Sequence, residues 1–337
     1  VFPGFCYRMY DKKVFDDVMQ ENSEVDIETK DFTEPLLDLW MKDEDQTLEN
    51  LIVTTFRDLL TKPPATNIRG ALQTLYALGL TTGYMGRTSI VSDFGVVLYE
   101  RNRSGDVRLT KALYYAKMYD CFYETVILAA ILSVTKRGVS DIFESDKAVD
   151  KRDQKRYINE LGRYKNKYGD FFAGYNAFQS FIDAEYRADG DERSLKRWCY
   201  KHFIHYKNCK DIADMANKLS HFRVPKEALE VSPEEDFEFK SLNDKIIFCL
   251  MKGLYTNMAV KKGEKRYENL FPPKRTKTII SPQIAQRATF FTSQLPSYIL
   301  YWELKRLDSG VKFGNCVTVP TYLLEYLSDF EKDELRI

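Results

Sequence analysis

A chain of 337 residues with 44% hydrophobic and 30% charged residues has the balance of a folded globular protein, long enough for two or three domains, and excludes a disordered chain. Fifty basic and fifty acidic residues cancel to a formal net charge of zero, which excludes a whole-molecule field drawing it to nucleic acid. The charge is local instead: Asp11 to Glu49 holds fourteen acidic and four basic residues and Lys261 to Arg287 eight basic and two acidic, so the second segment is the better phosphate partner.

Phe5 to Tyr10 follows the turn signal Pro3-Gly4 and reads as a short aromatic strand. An acidic lead-in from Ser23 then precedes a helix carrying Leu36, Leu37, Leu39, Trp40 and Met41. Pro63 and Pro64 stop the next segment, Thr66 or Asn67 caps a helix over Ile68 to Leu78, and Gly79 closes it. Tyr84 to Val97 supplies glycines and short β-branched runs, as a small hairpin wing would. Three helices and a wing make the winged-helix plan, and the acidic surface argues against its reading DNA.

Leu109 to Val134 gives helical patterns, with Val126 to Val134 apolar nearly all round and so central and buried. Lys147 to Lys167 is predominantly basic and reads as a loop and an exposed helix start. With Asp170 as N-cap, Tyr168, Phe171, Phe172, Tyr175, Phe178, Phe181, Ile182 and Tyr186 recur at steps of three and four, a face that must be buried. Arg193 to Lys210 then carries six Lys/Arg and no acid, with Trp198, Tyr200, Phe203 and Tyr206 between the charges. Interleaving of this kind meets phosphates and stacks bases; it also describes core aromatics beneath a solvated lysine face, and both readings stand.

Pro225 to Phe239 is acidic, broken by prolines and read as a linker, and Asn243 to Met258 as a helix. Short strands at Lys277 to Ile280, Ala288 to Thr292, Tyr298 to Leu304 and Cys316 to Val319 suit a small barrel. Six scattered cysteines without a CxxC or a secretory signal read as reduced thiols in an intracellular compartment. The longest apolar run, Val126 to Leu132, is too short to span a bilayer, and a start at Val1 reads as a fragment or cleaved product. Cys199, His202, His205 and Cys209 invite a zinc reading, but positions three apart on one helix drift by about 60° per step, which strains a tetrahedral site. No Ser/His/Asp ordering and no G-x-x-x-x-G-K-[ST] phosphate loop occurs.

Several of these segments resemble the DEAH-box (DEAH/RHA) RNA helicases, in family order. PGFCYRMY at 3–10 is similar to the last strand of the second RecA-like domain, and DLLTKPP, ALQTLYALGL and MGR…VSDFG to winged-helix segments. The helix ending at Val134, GDFFAGYNAFQSF at 169–181 and WCYKHFIHYKNCKDIADMANKL at 198–219 resemble the ratchet bundle. IISPQ at 279–283, LPSYILYWELKRL and the closing helix VPTYLLEYLSDF resemble OB-fold elements. The resemblance implies a multidomain α+β chain: the end of the second RecA-like domain over 1–22, a winged helix over 23–100, a helical ratchet bundle over 101–222, and a linker with an OB-type β-barrel over 223–337.

It further implies the RNA-gripping and regulatory module of an ATP-dependent helicase acting on single-stranded RNA in splicing or ribosome assembly, in the nucleus. ATP and Mg would be held by the parent enzyme and none by this segment, which alone should lack ATPase activity. Implied partners are single-stranded RNA, the RecA-like domains and a protein activator, with no membrane. RNA contacts are expected from Lys201, His205, Lys207, Asn208 and Lys210 in the bundle, and from Lys274, Arg275, Lys277 and Ser281 at the barrel. The chain departs from the family at Phe171 and Ala173, where His and Thr are usual, at His205 and Ala216 in place of Asn and Arg, and at Ser281 and Trp302 in place of His. Losing an arginine fork weakens phosphate grip, so the alternative is a non-catalytic, helicase-derived scaffold docking protein partners.

Overall fold

The computed structural model describes residues 7, 9–17, 31–42, 47–57, 59, 61–102, 104–135, 138–144, 149–224, 237–264, 266–271, 283–284, 295–307 and 310–335, the side chains of 283–284 and 305–311 aside. Most of Phe5 to Tyr10 lies outside these; Tyr7, Met9 and Tyr10 are exposed and in no strand, and helix α1 follows at Lys12–Asp17. The Pro225 to Phe239 linker lies outside except for Phe237 to Phe239.

Helix α2 (Thr33–Met41) buries Leu36, Leu37 and Trp40. It packs on α4 (Ala65–Ala77), which offers Ala71, Leu72 and Leu75. Between them, α3 (Leu48–Asn50) is capped by the Thr47 side chain and runs on into a π-helical turn, Leu51–Thr55. Thr66 and Asn67 do not cap α4; they lie in its first turn, and the helix starts directly after Pro64 with no side-chain cap, proline's fixed φ already suiting a helix start. Gly79 closes the helix at φ 76°. The expected wing is reduced to one antiparallel bridge, Thr81 with Val91. Val96 and Val97 are helical instead, because the Ser92 hydroxyl accepts from the Gly95 N–H and starts α5 (Asp93–Glu100).

Helices α6 (Val107–Met118) and α7 (Phe122–Val134) open the bundle, and α7 is buried on nearly every side. Helix α8 (Gln154–Gly162) lies on the surface with only Tyr157 buried. In α9 (Asp170–Ala188), Phe171, Phe178 and Phe181 are fully buried, while Tyr186, at the end of the stripe, is 87% exposed. Its N-cap is Gly169, not Asp170. Asp170 sits in the first turn, buried, where its carboxylate accepts the Cys316 backbone N–H at 2.8 Å. Helices α10 (Glu192–His202) and α11 (Tyr206–Ser220) complete this layer, α11 against α7. Helix α12 (Leu242–Leu254) lies along α6 at Gly253, where a Cβ would collide with the Arg108 carbonyl oxygen.

A small sheet covers one end, in the order β2-β1-β4-β5-β3. Strands β4 (Tyr298–Leu307) and β5 (Gly310–Val319) form a long antiparallel hairpin, and β1 (Met258–Lys261) bridges β4 to β2 (Tyr267–Asn269), also antiparallel. The two-residue β3 (Gln283–Ile284) pairs parallel with β5. Met258 thus begins a strand where the sequence pattern ends a helix, and Lys261, at the start of the basic segment, is a paired strand residue. The strands expected at 277–280 and 288–292 lie outside the described residues. The closing segment is a 3-10 turn, Thr321–Tyr326, followed by α13 (Asp329–Leu335). One continuous apolar core runs from Phe32 to Leu335, and a second, smaller cluster including Tyr267, Tyr301 and Phe313 lies at the sheet. No helix among the described residues is long and apolar enough to cross a membrane.

Candidate RNA interface

The turn between α9 and α10 is made by Asp189 and Gly190, both at positive φ, and Asp191 caps α10 by accepting from the N–H groups of Arg193 and Ser194 at 3.0 and 3.2 Å. Helix α10 buries only Leu195 and Cys199. Arg193, Arg197 and Lys201 recur every four residues on its outer surface, with Tyr200 beside them and 78% exposed. Lys196 is committed to Glu192 at 2.6 Å and lies 5.0 Å from the Tyr206 ring. Arg193, Arg197 and Lys201 make no salt bridge among the described residues. The face therefore presents cations and one open aromatic ring.

Sequence spacing treats Cys199, His202 and His205 as one helix, and the structure breaks that helix at Phe203, which sits at φ 54°. His205 begins the next one: its Nδ1 accepts the Asn208 N–H at 3.2 Å. The joint is strapped to a short 3-10 segment, Gly138–Ile142. His205 N–H donates to the Ile142 carbonyl at 2.7 Å, Glu144 N–H to the Phe203 carbonyl at 2.8 Å, and Asn208 Nδ2 to the Asp141 carbonyl at 2.7 Å. Gly174 lets α9 approach that segment, since a Cβ there would meet the Val139 methyls at 2.9 Å. His205 and Asn208 thus hold the α10–α11 corner in shape, while Lys207 projects into solvent. Lys210 is bonded to Glu185 at 2.7 Å, which raises its pKa and keeps it charged.

Arg156 on α8 joins this face. Its guanidinium donates to the Lys201 carbonyl and lies 5.0 Å from the Phe203 ring. The basic run of Lys147 to Lys167 is the signal for it, but only folding puts Arg156 beside Lys201. His202 Nδ1 is 3.0 Å from Glu160 Oε2, and its ring is 4.7 Å from Trp198. Burial pushes Glu160 upward, but the bond to His202 and the charge of Arg163 outweigh it and hold the carboxyl below its usual range. Burial raises the Cys199 thiol to about 12 and the Cys209 thiol further. Among the described residues no three His, Cys, Asp or Glu side chains are grouped to hold a metal. Lys274, Arg275, Lys277 and Ser281 lie outside the described residues.

A second surface feature is apolar. A groove of about 370 Å³ is lined by Ile52, Val53, Ile68, Leu72 and Met85, and Glu49 pairs with Arg87 across 3.7 Å at its side.

Residues 106–202, from the cap of α6 to the end of α10, match the helicase associated domain (HA2), ratchet-like. Two curated relatives, each named "Probable ATP-dependent RNA helicase DHX35", from Pongo abelii and Homo sapiens, are both 23% identical over 260 residues. That stretch is 76% of this chain and 31% of each relative, so the chain spans about a third of the curated relatives it matches. The basic corner of α10 and α11 thus lies at the end of the matched ratchet-like domain and just beyond it, and what the chain is similar to is a C-terminal, helicase-associated segment of a DEAH-box RNA helicase.

Proposed function

We propose that this chain is the RNA-gripping and regulatory module of an ATP-dependent DEAH-box helicase, acting on single-stranded RNA during RNA processing in the nucleus. The observation that carries the reading is the outer face of α10, where Arg193, Arg197 and Lys201 lie open beside Tyr200. Spaced cations neutralise successive phosphates, and an open ring stacks a base without regard to sequence. In this reading residues 23–100 act as a winged helix and 101–222 as the ratchet. Residues 223–337 include an OB-type barrel, where Lys274, Arg275, Lys277 and Ser281 add to the grip. ATP and Mg belong to the RecA-like domains of the parent enzyme, and the isolated chain hydrolyses no ATP.

The test is equilibrium binding of the chain to single-stranded RNA over a range of salt. Changing Arg193, Arg197 and Lys201 together to Ala should weaken all sequences alike and flatten the salt dependence by about 0.7 in slope for each phosphate that is no longer neutralised. Unchanged affinity and slope in a folded triple variant would overturn the reading. The apolar groove beside Met85 favours a second role alongside it, docking of a protein activator; with RNA binding absent and docking present, the chain would be a helicase-derived scaffold.

A further inference from the structure

We infer that a polar cavity where α4, α6 and the sheet meet is a pocket for one unpaired nucleobase, adenine by preference. This rests on the RNA reading above for how the base arrives. The cavity has a volume of about 340 Å³, at the small end of the range for small-molecule sites. It is formed by α4 through Gln73, by the start of α6 through Arg108, by the 3-10 turn before β1 through Asn257, and by the sheet through Asn269 and Tyr301. Three aromatic residues, Phe32, Phe271 and Tyr301, are among those that line it.

Charge rules against phosphate as the occupant. Among the described residues the only cation lining it is Arg108, and Asp106 holds that guanidinium at 3.0 Å through Nε and 2.6 Å through Nη2. The same group lies 5.1 Å over the Trp302 ring. With Asp31 on the wall, the described lining carries no net positive charge to attract an anion.

What remains open is carboxamide. Asn257 is spent, its Nδ2 donating to the carbonyls of Tyr301 and Trp302 at 3.1 and 3.3 Å. Asn269 is half spent: its Oδ1 accepts the Tyr301 hydroxyl at 3.0 Å, which orients the amide and leaves Nδ2 as a donor. Gln73 makes no side-chain hydrogen bond to a described residue, so its oxygen and its NH₂ are both available. A carboxamide with both functions open matches the N6 and N7 edge of adenine in two bonds. Single-stranded bases are commonly read in this way, held between aromatic surfaces and bonded at their edges.

Two measurements on the whole chain test the pocket. In the first, adenosine is titrated while ligand-observed NMR follows binding. Saturable binding is expected, weakened roughly fivefold or more in Gln73→Glu, which keeps the size and loses the donor, and in Asn269→Ala. In the second, a single-stranded RNA is compared with the same oligonucleotide carrying abasic sites. Both variants should erase the preference for the base-bearing strand and leave the salt slope unchanged. No saturable adenosine binding, or equal binding by the wild-type and both variants, would overturn the inference. Failure of the RNA reading looks different: neither oligonucleotide binds, while adenosine still binds in a manner dependent on Gln73.

Discussion

Helices α9 and α10 are consecutive, both rich in aromatic residues, and face opposite ways. In α9 the rings recur at three and four with small residues between them, and Phe171, Phe178 and Phe181 are fully buried. In α10 the rings alternate with cations, so any orientation that buried Tyr200 would take Arg197 and Lys201 in with it, and Tyr200 stays 78% exposed. Burying a charge without a partner costs more than an aromatic ring gains. The charges beside a ring therefore decide whether that ring belongs to the core or to the surface.

The largest effect should come from breaking the buried side of that comparison. Phe181→Ala removes a ring stacked on Phe178 at 6.2 Å and set edge-on to Tyr206 at 6.4 Å. It should cost about 3–5 kcal/mol in urea unfolding. Next is a buried carboxyl. Burial raises Glu34 from 4.5 to about 8, even though the Val107 N–H donates to its carboxylate. A carboxyl whose folded pKa is raised binds its proton more tightly in the folded state. Its contribution is therefore fully present below pH 4.5 and is lost as pH climbs to about 8. The melting temperature should fall across that window, and Glu34→Gln should flatten the fall.

A smaller loss is expected at Asp170. Changing it to Ala removes the carboxylate that accepts the buried Cys316 N–H, at a cost of about 1–3 kcal/mol. The exposed side of the comparison gives the smallest change in stability. Tyr200→Ser should stay within about 0.5 kcal/mol of wild-type in unfolding, yet lose about 1–3 kcal/mol of single-stranded RNA binding if a base stacks on the ring. Equal effects of Phe181→Ala and Tyr200→Ser on stability would erase the distinction between the two helices.

Periodicity made the helices legible. The stripes of α2, α4, α7, α9 and α12 point inward as their spacing requires. What spacing could not reveal depends on partners distant in sequence. Strand β1 contains Val260 and Lys261 and forms because Tyr298 to Leu300 on β4 need a neighbour. The Val96-Val97 pair suggested a strand, but the Ser92 cap settled it as helix. Asp170 looked like a cap by type and position, and its role lies across the fold at Cys316. At the candidate site, the basic character of α10 was visible in the sequence. The corner at Phe203 was not, and it separates the exposed Lys201 and Lys207 from His205 and Asn208, which hold the turn. Gln73, Arg108 and Asn269 are so far apart in the chain that no linear pattern could bring them together.

The fastening of β5 to the start of α9 has a mechanical consequence. Three successive residues of the strand are tied to three successive residues of the chain: Cys316 to the Asp170 carboxylate, Val317 to Gly169 in an isolated bridge, and Thr318 N–H to the Tyr168 carbonyl at 2.9 Å. Bonds set side by side share a shearing load, whereas bonds in a row would open one after another. A pull on the β4–β5 hairpin is therefore delivered to the first turn of α9 without slack. Any movement of the hairpin should therefore carry the aromatic helix with it.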